Sequence, residues 1–289
     1  MSGTDTGPRT GPAVPSGGAV RGTGRRSRVR SGRFPWLLVV PAVIGIAFLV
    51  LPFAGLLIRA PWATIGTRLA MPEIRSALLL SLSTATVATV IALALGVPLA
   101  WLLARTGFPG RRVVRALVTV PMVIPPVVGG VALLLALGRR GVVGQYLYDW
   151  FGYSMPFTPA AVVAAQVFVA MPFLVVSVEG ALHSADRRFE EAAATLGATR
   201  AVVFLHVTLP SVLPGVVAGA VLCWARALGE FGATITFAGN FPGRTQTMPI
   251  AVYLAMQTSP ESAIVLSLVL LLVSLVILVS LRERWVNPL

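Results

Sequence analysis

The sequence has no lysine, one cysteine and two histidines among its 289 residues. Without lysine there is no phosphate-binding G-x-x-x-x-G-K-[ST] loop, since that motif requires the lysine. The lone Cys223 excludes an intrachain disulfide and a metal centre built from several cysteines. His183 and His206 lie 23 residues apart with no cysteine beside them, so a histidine metal site is not expected either. These absences predict a chain without a catalytic site, a metal or a cofactor of its own.

Charge is also scarce, at 11% of the residues, whereas 56% are hydrophobic. An ordinary soluble domain does not have this balance, so the composition predicts an integral membrane protein. All 23 basic residues are arginine, and they give a formal net charge of +13. A basic excess can indicate nucleic-acid binding. Here most arginines flank apolar runs or lie near the N-terminus, which membrane topology explains better, so no nucleic-acid partner is expected.

Six apolar runs are long enough to cross a bilayer, because a helix of about 20 residues spans roughly 30 Å of hydrocarbon. They cover residues 36–58, 77–103, 113–137, 159–178, 212–237 and 263–281. The first run exceeds a signal-peptide core and lacks a small-residue cleavage site, so we interpret it as an uncleaved span. Residues 1–35 are rich in Gly, Pro, Ser, Thr and Arg and are predicted to be a disordered tail. The expected fold is all-α, with a transmembrane domain over residues 36–289.

The arginines between the spans set the expected orientation, because cytoplasmic segments of membrane proteins carry the excess of positive charge. If the N-terminus is inside, sixteen arginines lie on the cytoplasmic side and six lie outside. The outer six are Arg59, Arg68, Arg75, Arg139, Arg140 and Arg244. Both termini are therefore predicted to be cytoplasmic, and so is the charged segment at 186–210.

Prolines interrupt the third run at Pro121, Pro125 and Pro126. A helix broken within a bilayer is tolerated only where protein or a water-filled cavity satisfies the freed backbone groups. Pro125 and Pro126 are therefore candidate pathway residues. A kink that merely improves packing is the alternative.

The fifth run carries two ionisable residues, Arg226 and Glu230, four positions apart on one helical face. Such groups are costly inside a membrane and are candidate functional residues by default. They could pair to lock a gate, Arg226 could face the conduit and attract an anion, or both could form a structural pair at the outer interface. Gly229 and Gly232 flank Glu230 and predict a close helix contact. Gly215 and Gly219 repeat a G-x-x-x-G spacing that is common by chance in apolar helices.

One charged segment between apolar runs can itself form helix: residues 186–210, DRRFEEAAATLGATRAVVFLHVTLP. The residues that share one helical face are Phe189, Ala192, Ala193 and Leu196. Asp186 is expected to cap this helix, and Gly197 stands where a left-handed residue would end it. A second short helix is expected from about Thr199 until Pro210 blocks its continuation. An amphipathic helix that only lies on the bilayer surface is the alternative.

The spacing within this segment resembles the EAA loop of ATP-binding-cassette (ABC) importer permeases, E-A-A-x3-G-x9-I-x-L-P, with valine in place of the isoleucine. In that family the loop forms coupling helices that dock into a cleft of a cytoplasmic ATPase. The resemblance therefore implies a coupling role for Glu190, Glu191, Ala192, Ala193, Gly197, Val207, Leu209 and Pro210. The residue types fit, since small alanines allow close approach, glycine permits a turn, and Glu191 offers a charge to basic groups.

A second stretch, ALGEFGATITFAGN followed by FPGRTQTMPI, closely resembles molybdate permeases. Sulfate permeases share LGEFGA and the AGN ending but diverge at TITF and at the QTMPIAVYLAM continuation. The resemblance covers roughly residue 75 to the C-terminus. It implies a type I importer fold and import of the oxyanion molybdate, or tungstate, across the cell membrane, with sulfate or thiosulfate as the alternative.

The family resemblance also implies partners. Two copies of the permease, as a homodimer, would bind two ABC ATPase subunits, and an extracytoplasmic binding protein would deliver the oxyanion. ATP and Mg²⁺ would be bound by the ATPase and not by this chain, which is itself expected to be no enzyme. A different class remains open on the residues alone, an ion-coupled secondary transporter with Arg226 and Glu230 as a relay. Against it, membrane-embedded acids are few and no inverted repeat is evident.

Overall fold

The computed structural model describes residues 36–286 and, apart from them, Gly3 and Gly7. Side chains are described for residues 38–277 and 279. Apart from these two glycines, the predicted tail of residues 1–35 thus lies outside the described residues, as do the side chains of Arg282 and Arg284. The chain divides into two units, Met1–Leu51 and Pro52–Leu289, and all contacts discussed below lie within the second.

Helices make up the regular structure of the described residues, and no strand occurs among them. The helices are α1 Trp36–Ile58, α2 Ile65–Leu69, α3 Pro72–Arg105, α4 Arg111–Val123, α5 Pro126–Leu137, α6 Gly144–Phe151, α7 Pro159–Ser184, α8 Arg188–Thr195, α9 Arg200–Val203, α10 Leu209–Leu228, α11 Gly232–Ala238, α12 Met248–Thr258 and α13 Pro260–Val286. A π-helical turn, Phe204–Thr208, joins α9 to α10. The all-α prediction is confirmed.

Within the described part of the chain, five helical segments are long and apolar enough to cross a membrane, and the bent pair α4–α5 makes a sixth. The five segments are Leu38–Ile58, Pro72–Arg105, Pro159–Ser184, Arg200–Leu228 and Pro260–Ile277. Each predicted apolar run therefore corresponds to one of these six. Several helices extend beyond the predicted limits because their polar ends continue the helix out of the apolar region.

The third predicted span is two helices rather than one, with an angle of 119° between α4 and α5. Ile124 and Pro125, between them, both have extended backbone conformations. Steric conflict with a proline ring disfavours helix at the preceding residue, and here two prolines follow one another. The interruption that the sequence indicated at Pro125 and Pro126 is confirmed.

The bent pair nevertheless crosses from one face of the bundle to the other. Arg115 of α4 bonds Glu179 near the C-terminal end of α7. In contrast, Leu133 and Leu137 of α5 pack on a cluster that includes Ala161, near the N-terminal end of α7. The α4–α5 pair therefore runs antiparallel to α7 and is a broken span.

The fifth span also differs from the prediction. Pro210 does not end the helix that begins at Arg200, because the π-helical turn before it lets the helix continue to Leu228. A π turn widens the backbone, which relieves the clash of a proline ring with the turn before it. The span then breaks after Leu228 and resumes as α11 at Gly232. The predictions of a stop at Pro210 and of an unbroken span over residues 212–237 are both wrong.

Small residues allow the central helices α7 and α10 to pack closely. A Cβ on Gly215 would lie 2.3 Å from Cβ of Ala181, and one on Gly219 would lie 3.0 Å from side-chain atoms of Leu174 and Ser177. The G-x-x-x-G pair of α10 is thus the contact surface for α7. Backbones approach this closely where side chains are small, and in membranes such packing replaces the hydrophobic effect.

Arg68 of α2 lies at the face of the bundle opposite the charged segment. Its guanidinium bonds Glu261 and Ser262 in the first turn of α13. Arg105, the last residue of α3, lies instead beside the segment that follows α7. The C-terminal ends of α3 and α7 therefore share one face, and α2 and the start of α13 lie at the other.

Candidate functional site

The predicted coupling segment forms the expected helix, turn and second helix. Oδ1 of Asp186 accepts a hydrogen bond from the backbone N–H of Arg188 (2.9 Å), which satisfies a donor at the start of α8. At the other end Gly197 has φ +85°, and the N–H of Ala198 bonds the carbonyl of Ala193. This is the Schellman arrangement, which places glycine in the left-handed conformation. The glycine turn is confirmed, whereas the N-cap of α8 is Arg187, and Asp186 bonds the first helical residue from one position before it.

The apolar side of α8 faces outward rather than into the protein. Phe189 is 65% exposed, Leu196 is 88% exposed, and Ala192 between them is exposed as well. The four residues Phe189, Ala192, Ala193 and Leu196 form what we call the α8 apolar face. An apolar surface that projects from the chain in this way is typical of a binding site for another protein.

Two polar contacts hold α8 against the end of α3. Nη2 of Arg105 lies 2.8 Å from Oε1 of Glu190, and Nε donates to the same oxygen at 3.1 Å. Nη2 of Arg187 donates to the carbonyl of Ala104 (3.3 Å). The side chain of Arg105 is only 6% exposed and that of Glu190 21%. Glu190 is therefore engaged within the chain, and sequence reasoning missed Arg105 as its partner.

The neighbouring Glu191 has a different environment. It is exposed, and its carboxylate makes no hydrogen bond or ion pair with any described residue. Glu191 is thus available to a partner, in line with the charge that the sequence suggested it offers. The coupling roles of both glutamates, of Ala192 and Ala193 and of Gly197 stay predictions.

The other predicted coupling residues lie where the loop enters the fifth span. Val207 is in the π-helical turn, and Leu209 and Pro210 begin α10. The carbonyl of Val207 accepts a hydrogen bond from the hydroxyl of Ser211 (2.6 Å). Because helix is continuous from Arg200 to Leu228, a displacement of the second loop helix would be carried directly into α10.

The second candidate site is the ion pair in the fifth span. Nη1 of Arg226 lies 2.6 Å from Oε2 of Glu230, and Oε1 of Glu230 accepts the backbone N–H of Ala233 (2.8 Å). The contact at Oε2 is close enough for charge attraction, but no N–H points at this oxygen in hydrogen-bond geometry. Glu230 is 1% exposed and Arg226 27%. The buried carboxylate thus bridges Arg226 to the first turn of α11.

The two broken spans meet beside this pair. A cavity of about 310 Å³ is lined by Pro126, Val127, Arg226, Gly229, Glu230, Phe231 and Gly232. A Cβ on Gly232 would lie 2.9 Å from Cβ of Pro126. One on Gly130 would lie 2.7 Å from Cβ of Thr236 and 2.8 Å from the carbonyl oxygen of Ala233. The close contact expected at Gly232 is confirmed.

The structure therefore brings together four of the five predicted pathway residues, namely Pro126, Arg226, Gly229 and Glu230, and places Pro125 next to them. Gly229 is not itself tightly packed, since a Cβ there would meet only the carbonyl oxygen of Ala225 at 3.6 Å. The close contact expected at Gly229 is thus absent. Whether these residues gate a pathway stays a prediction.

The packing of neighbouring glycines gives the position of the pair along α7. A Cβ on Gly129, beside the α4–α5 break, would lie 2.9 Å from the ring of Phe168, which is away from both ends of α7. Gly130 contacts the residues that follow Glu230, so the ion pair lies at a similar level. The ion pair therefore lies near the level of the α4–α5 break, and whether it gates a pathway, attracts an anion or is purely structural stays a prediction.

Buried polar groups near this level were missed from the sequence. Gln166 of α7 is fully buried, and neither end of its amide has a hydrogen-bond partner among the described residues. The hydroxyl of Thr234 in α11 is also buried without a partner there. An amide inside the otherwise apolar run 159–178 was the signal for Gln166, since polar residues in spans are costly.

The described residues contain no group of three His, Cys, Asp or Glu side chains that could hold a metal ion. The two candidate regions have distinct chemistry. One is an exposed apolar helix on a charged loop, and the other is a buried ion pair at two helix breaks.

Comparison with known proteins identifies the family. Residues 96–289 match the family described as "Binding-protein-dependent transport system inner membrane component". The chain belongs to this family.

Individual relatives also match this chain over most of its length. The chain is 46% identical over 250 residues to the "Molybdenum transport system permease protein ModB" of Mycobacterium tuberculosis, covering 86% of this chain and 94% of the relative. It is 43% identical over 209 residues to the protein of the same name from Escherichia coli K12 (72% and 91%). The "Sulfate transport system permease protein CysT" of Salmonella typhimurium is 33% identical over 238 residues (81% and 86%).

Solved structures support the same fold. A bacterial ABC transporter involved in alginate import superposes with a TM-score of 0.70 at 19% identity, over 86% of this chain and 94% of that one. The MetNI methionine ABC transporter gives a TM-score of 0.58 at 21% identity (73% and 95%). The fold is therefore that of ABC importer permeases, and this family member is a multi-pass membrane protein.

Proposed function

We propose that this chain is the membrane permease subunit of an ATP-driven importer that brings molybdate, and tungstate by the same chemistry, into the cytoplasm. The substrate assignment rests on the sequence identity, which is 43–46% with relatives named for molybdenum transport and 33% with those named for sulfate. Molybdate, tungstate and sulfate are all tetrahedral dianions. Sulfate or thiosulfate transport is the second candidate, and only measurement of uptake separates the two.

The chain's own part in transport begins at the α8 apolar face. A cytoplasmic ABC ATPase would bind Phe189 and Leu196, and Glu191 would meet basic groups of the ATPase. The chain itself would bind no cofactor, since ATP and Mg²⁺ belong to the ATPase. When ATP closes two ATPase subunits, the docked loops would move together, and the continuous helix from Arg200 to Leu228 would tilt the bundle.

Inside the bundle, Arg226 is the residue we assign to the anion. Its guanidinium lines the cavity at the two helix breaks, is partly exposed, and retains N–H groups that Glu230 does not occupy. Glu230 holds the arginine in place and offsets its charge, so an oxyanion would be attracted without being trapped. Passage requires binding that is weak enough for release.

The assembly that fits this account has two copies of the chain, two ATPase subunits and an extracytoplasmic binding protein. Both chain termini would be cytoplasmic, on the same side as α8. The solved alginate importer is described in complex with a periplasmic protein, which supports a binding protein here by analogy. A homodimer is preferred because molybdate systems use one permease, whereas sulfate systems usually pair two different ones. The mass of the purified complex distinguishes these arrangements.

An ion-coupled secondary transporter is not supported, because the family is defined by binding-protein-dependent transport. In addition, Glu230 is the one fully buried acid among the described residues, and it is already paired.

The substrate assignment is tested by uptake of labelled molybdate in cells that carry this chain with its ATPase and binding protein. Excess tungstate is expected to abolish uptake, and excess sulfate is expected to leave it unchanged. Competition by sulfate at a similar concentration would assign the chain to sulfate transport, while the role of α8 would be unaffected. Cells with the ATPase and binding protein but without this chain are the control.

A further inference from the structure

Two adjoining cavities lie where the loop helices meet the end of α3. The smaller has a volume of about 240 Å³ and is lined by Pro98, Trp101, Arg200, Ala201 and Phe204. The larger, of about 540 Å³, lies among charged side chains of the loop. Trp101, Arg200 and Phe204 line both, so one cavity opens next to the other.

The walls of the smaller cavity are apolar apart from Arg200. Pro98 lies within α3, where proline removes a backbone hydrogen bond and favours a bend. Trp101, about one turn later, meets the ring of Phe204 edge-on with 5.8 Å between centroids. Phe204 begins the π-helical turn that precedes α10. Apart from Arg200, the side chains of this wall are mostly hydrocarbon, which suits an acyl chain better than an inorganic ion.

The larger cavity is lined by three arginines and two glutamates, Arg105, Arg187, Arg200, Glu190 and Glu191. Arg105 is neutralised by Glu190, and Arg187 donates to a carbonyl of α3. The guanidinium of Arg200 has no hydrogen-bond or ion-pair partner among the described residues. This guanidinium is therefore available to a ligand at the boundary between the charged cavity and the apolar one.

We propose that these two cavities bind an anionic phospholipid of the cytoplasmic leaflet, with its phosphate at Arg200 and an acyl chain along Trp101 and Phe204. The chemistry recognised is a phosphate monoanion joined to hydrocarbon, which matches a cationic cavity that adjoins an apolar one. The place matches as well, because the end of α3 is where a span leaves the apolar region, and tryptophan and arginine are favoured at that level.

This site adjoins the π-helical turn through which the loop joins α10. A lipid bound there would pack against Trp101 and Phe204 and would stiffen the connection between α8 and the fifth span. The inference does not depend on which oxyanion is transported. It rests on the proposed orientation, in which the α8 loop lies at the cytoplasmic surface of the bilayer.

The test uses the purified complex of this chain with its ATPase in nanodiscs of phosphatidylcholine with a small fraction of a phosphatidylglycerol that carries a photoreactive acyl chain. After illumination, mass spectrometry locates the attached lipid. Attachment concentrated in peptides that contain Trp101 or residues 200–204 is expected. Attachment spread evenly over the spans, or equal when the photoreactive lipid is phosphatidylcholine, would overturn the proposal.

Variants separate a specific site from general attraction to the surface. Arg200→Gln is expected to lower attachment at this site about fivefold, the factor for one cationic residue at an anionic surface. Arg112→Gln removes the same charge from an exposed position of α4 that lines neither cavity, and it is expected to leave attachment unchanged. Equal losses in both variants would refute a defined site.

A further arm distinguishes a lipid from a free anion, which shares the phosphate chemistry. Inorganic phosphate or molybdate at millimolar concentration is expected to leave lipid attachment unchanged, because neither fills the apolar cavity. Phe204→Ala is expected to reduce attachment, because it removes the aromatic wall. If free phosphate displaces the lipid and Phe204→Ala has no effect, the site is an ion site and the proposal fails.

Discussion

Arg105, the last residue of α3, forms an ion pair with Glu190 of α8, with 2.8 Å between Nη2 and Oε1. The pair joins α3 to the loop that we propose docks the ATPase. The adjacent Glu191 has no such partner within the described residues. Two neighbouring glutamates therefore have different roles, one that positions α8 and one that faces outward.

Replacing Glu190 by glutamine is expected to destabilise the permease by about 2 kcal/mol, because the charge of the mostly buried Arg105 is left without its partner. Glu191→Gln is the matched control and is expected to leave the stability of the isolated permease unchanged. Thermal unfolding of both variants in detergent measures the difference. Equal stability of the two variants would show that the Arg105 contact does not hold the loop.

Glu191→Gln is expected to act on the complex instead, since it removes a charge from an exposed surface. Its affinity for the ATPase is expected to fall several-fold, as for charge-assisted contacts of about 1 kcal/mol. Titration of immobilised permease with the ATPase measures this. A variant that binds the ATPase like the wild type would contradict the outward role of Glu191.

Gly197 is expected to tolerate asparagine but not valine. Its φ of +85° is costly for residues with a side chain, about 1–2 kcal/mol and more for a β-branched one, whereas asparagine adopts this region more readily. No atom lies within 4 Å of a Cβ there, so the cost is conformational rather than steric. Gly197→Val should still insert into the membrane but should hydrolyse ATP without matching uptake. The ratio of molybdate imported to ATP hydrolysed is the measurement, and normal coupling in Gly197→Val would refute the assignment.

Removal of Arg226 is expected to be more damaging than removal of Glu230. Arg226→Gln leaves a carboxylate that is 1% exposed without a counter-charge, whereas Glu230→Gln leaves an arginine that is partly exposed to the cavity. The double variant is expected to regain part of the stability lost in Arg226→Gln, with a coupling energy of about 1–3 kcal/mol. Unfolding of the four proteins in a double-mutant cycle measures it. Strict additivity would show that the pair does not interact.

Gly232→Ala is expected to separate the two broken spans, because its Cβ would lie 2.9 Å from Cβ of Pro126. Overpacking of this kind costs about 1–3 kcal/mol. In Gly229→Ala, three residues away, the nearest neighbour of the added Cβ is the carbonyl oxygen of Ala225 at 3.6 Å, so this variant is expected to change the unfolding temperature little. A similar unfolding temperature for both variants would contradict the close contact at Gly232.

The long helices and the loop helix α8 were predictable because their signals are local. Apolar runs of sufficient length predicted the spans, and the spacing from Asp186 to Gly197 predicted a capped helix with a left-handed end. The Arg226–Glu230 pair was equally accessible, since residues four apart in a helix are neighbours.

Contacts between distant segments were not predictable in this way. The partner of Glu190 is 85 positions away in sequence, and nothing local to either residue indicates the other. Continuation of the helix through Pro210 was missed because a π-helical turn has no clear sequence signature, whereas a proline ordinarily ends a helix. The meeting of the two breaks at Pro126 and Gly232 likewise depends on tertiary packing.

The central claim is that ATP hydrolysis on a docked ATPase drives molybdate through this chain. It is tested most directly in proteoliposomes that contain the permease and ATPase, with binding protein outside and labelled molybdate as substrate. Uptake is expected only when ATP and Mg²⁺ are enclosed, with no response to an imposed proton gradient. Uptake that persists without ATP and follows the proton gradient would contradict the account.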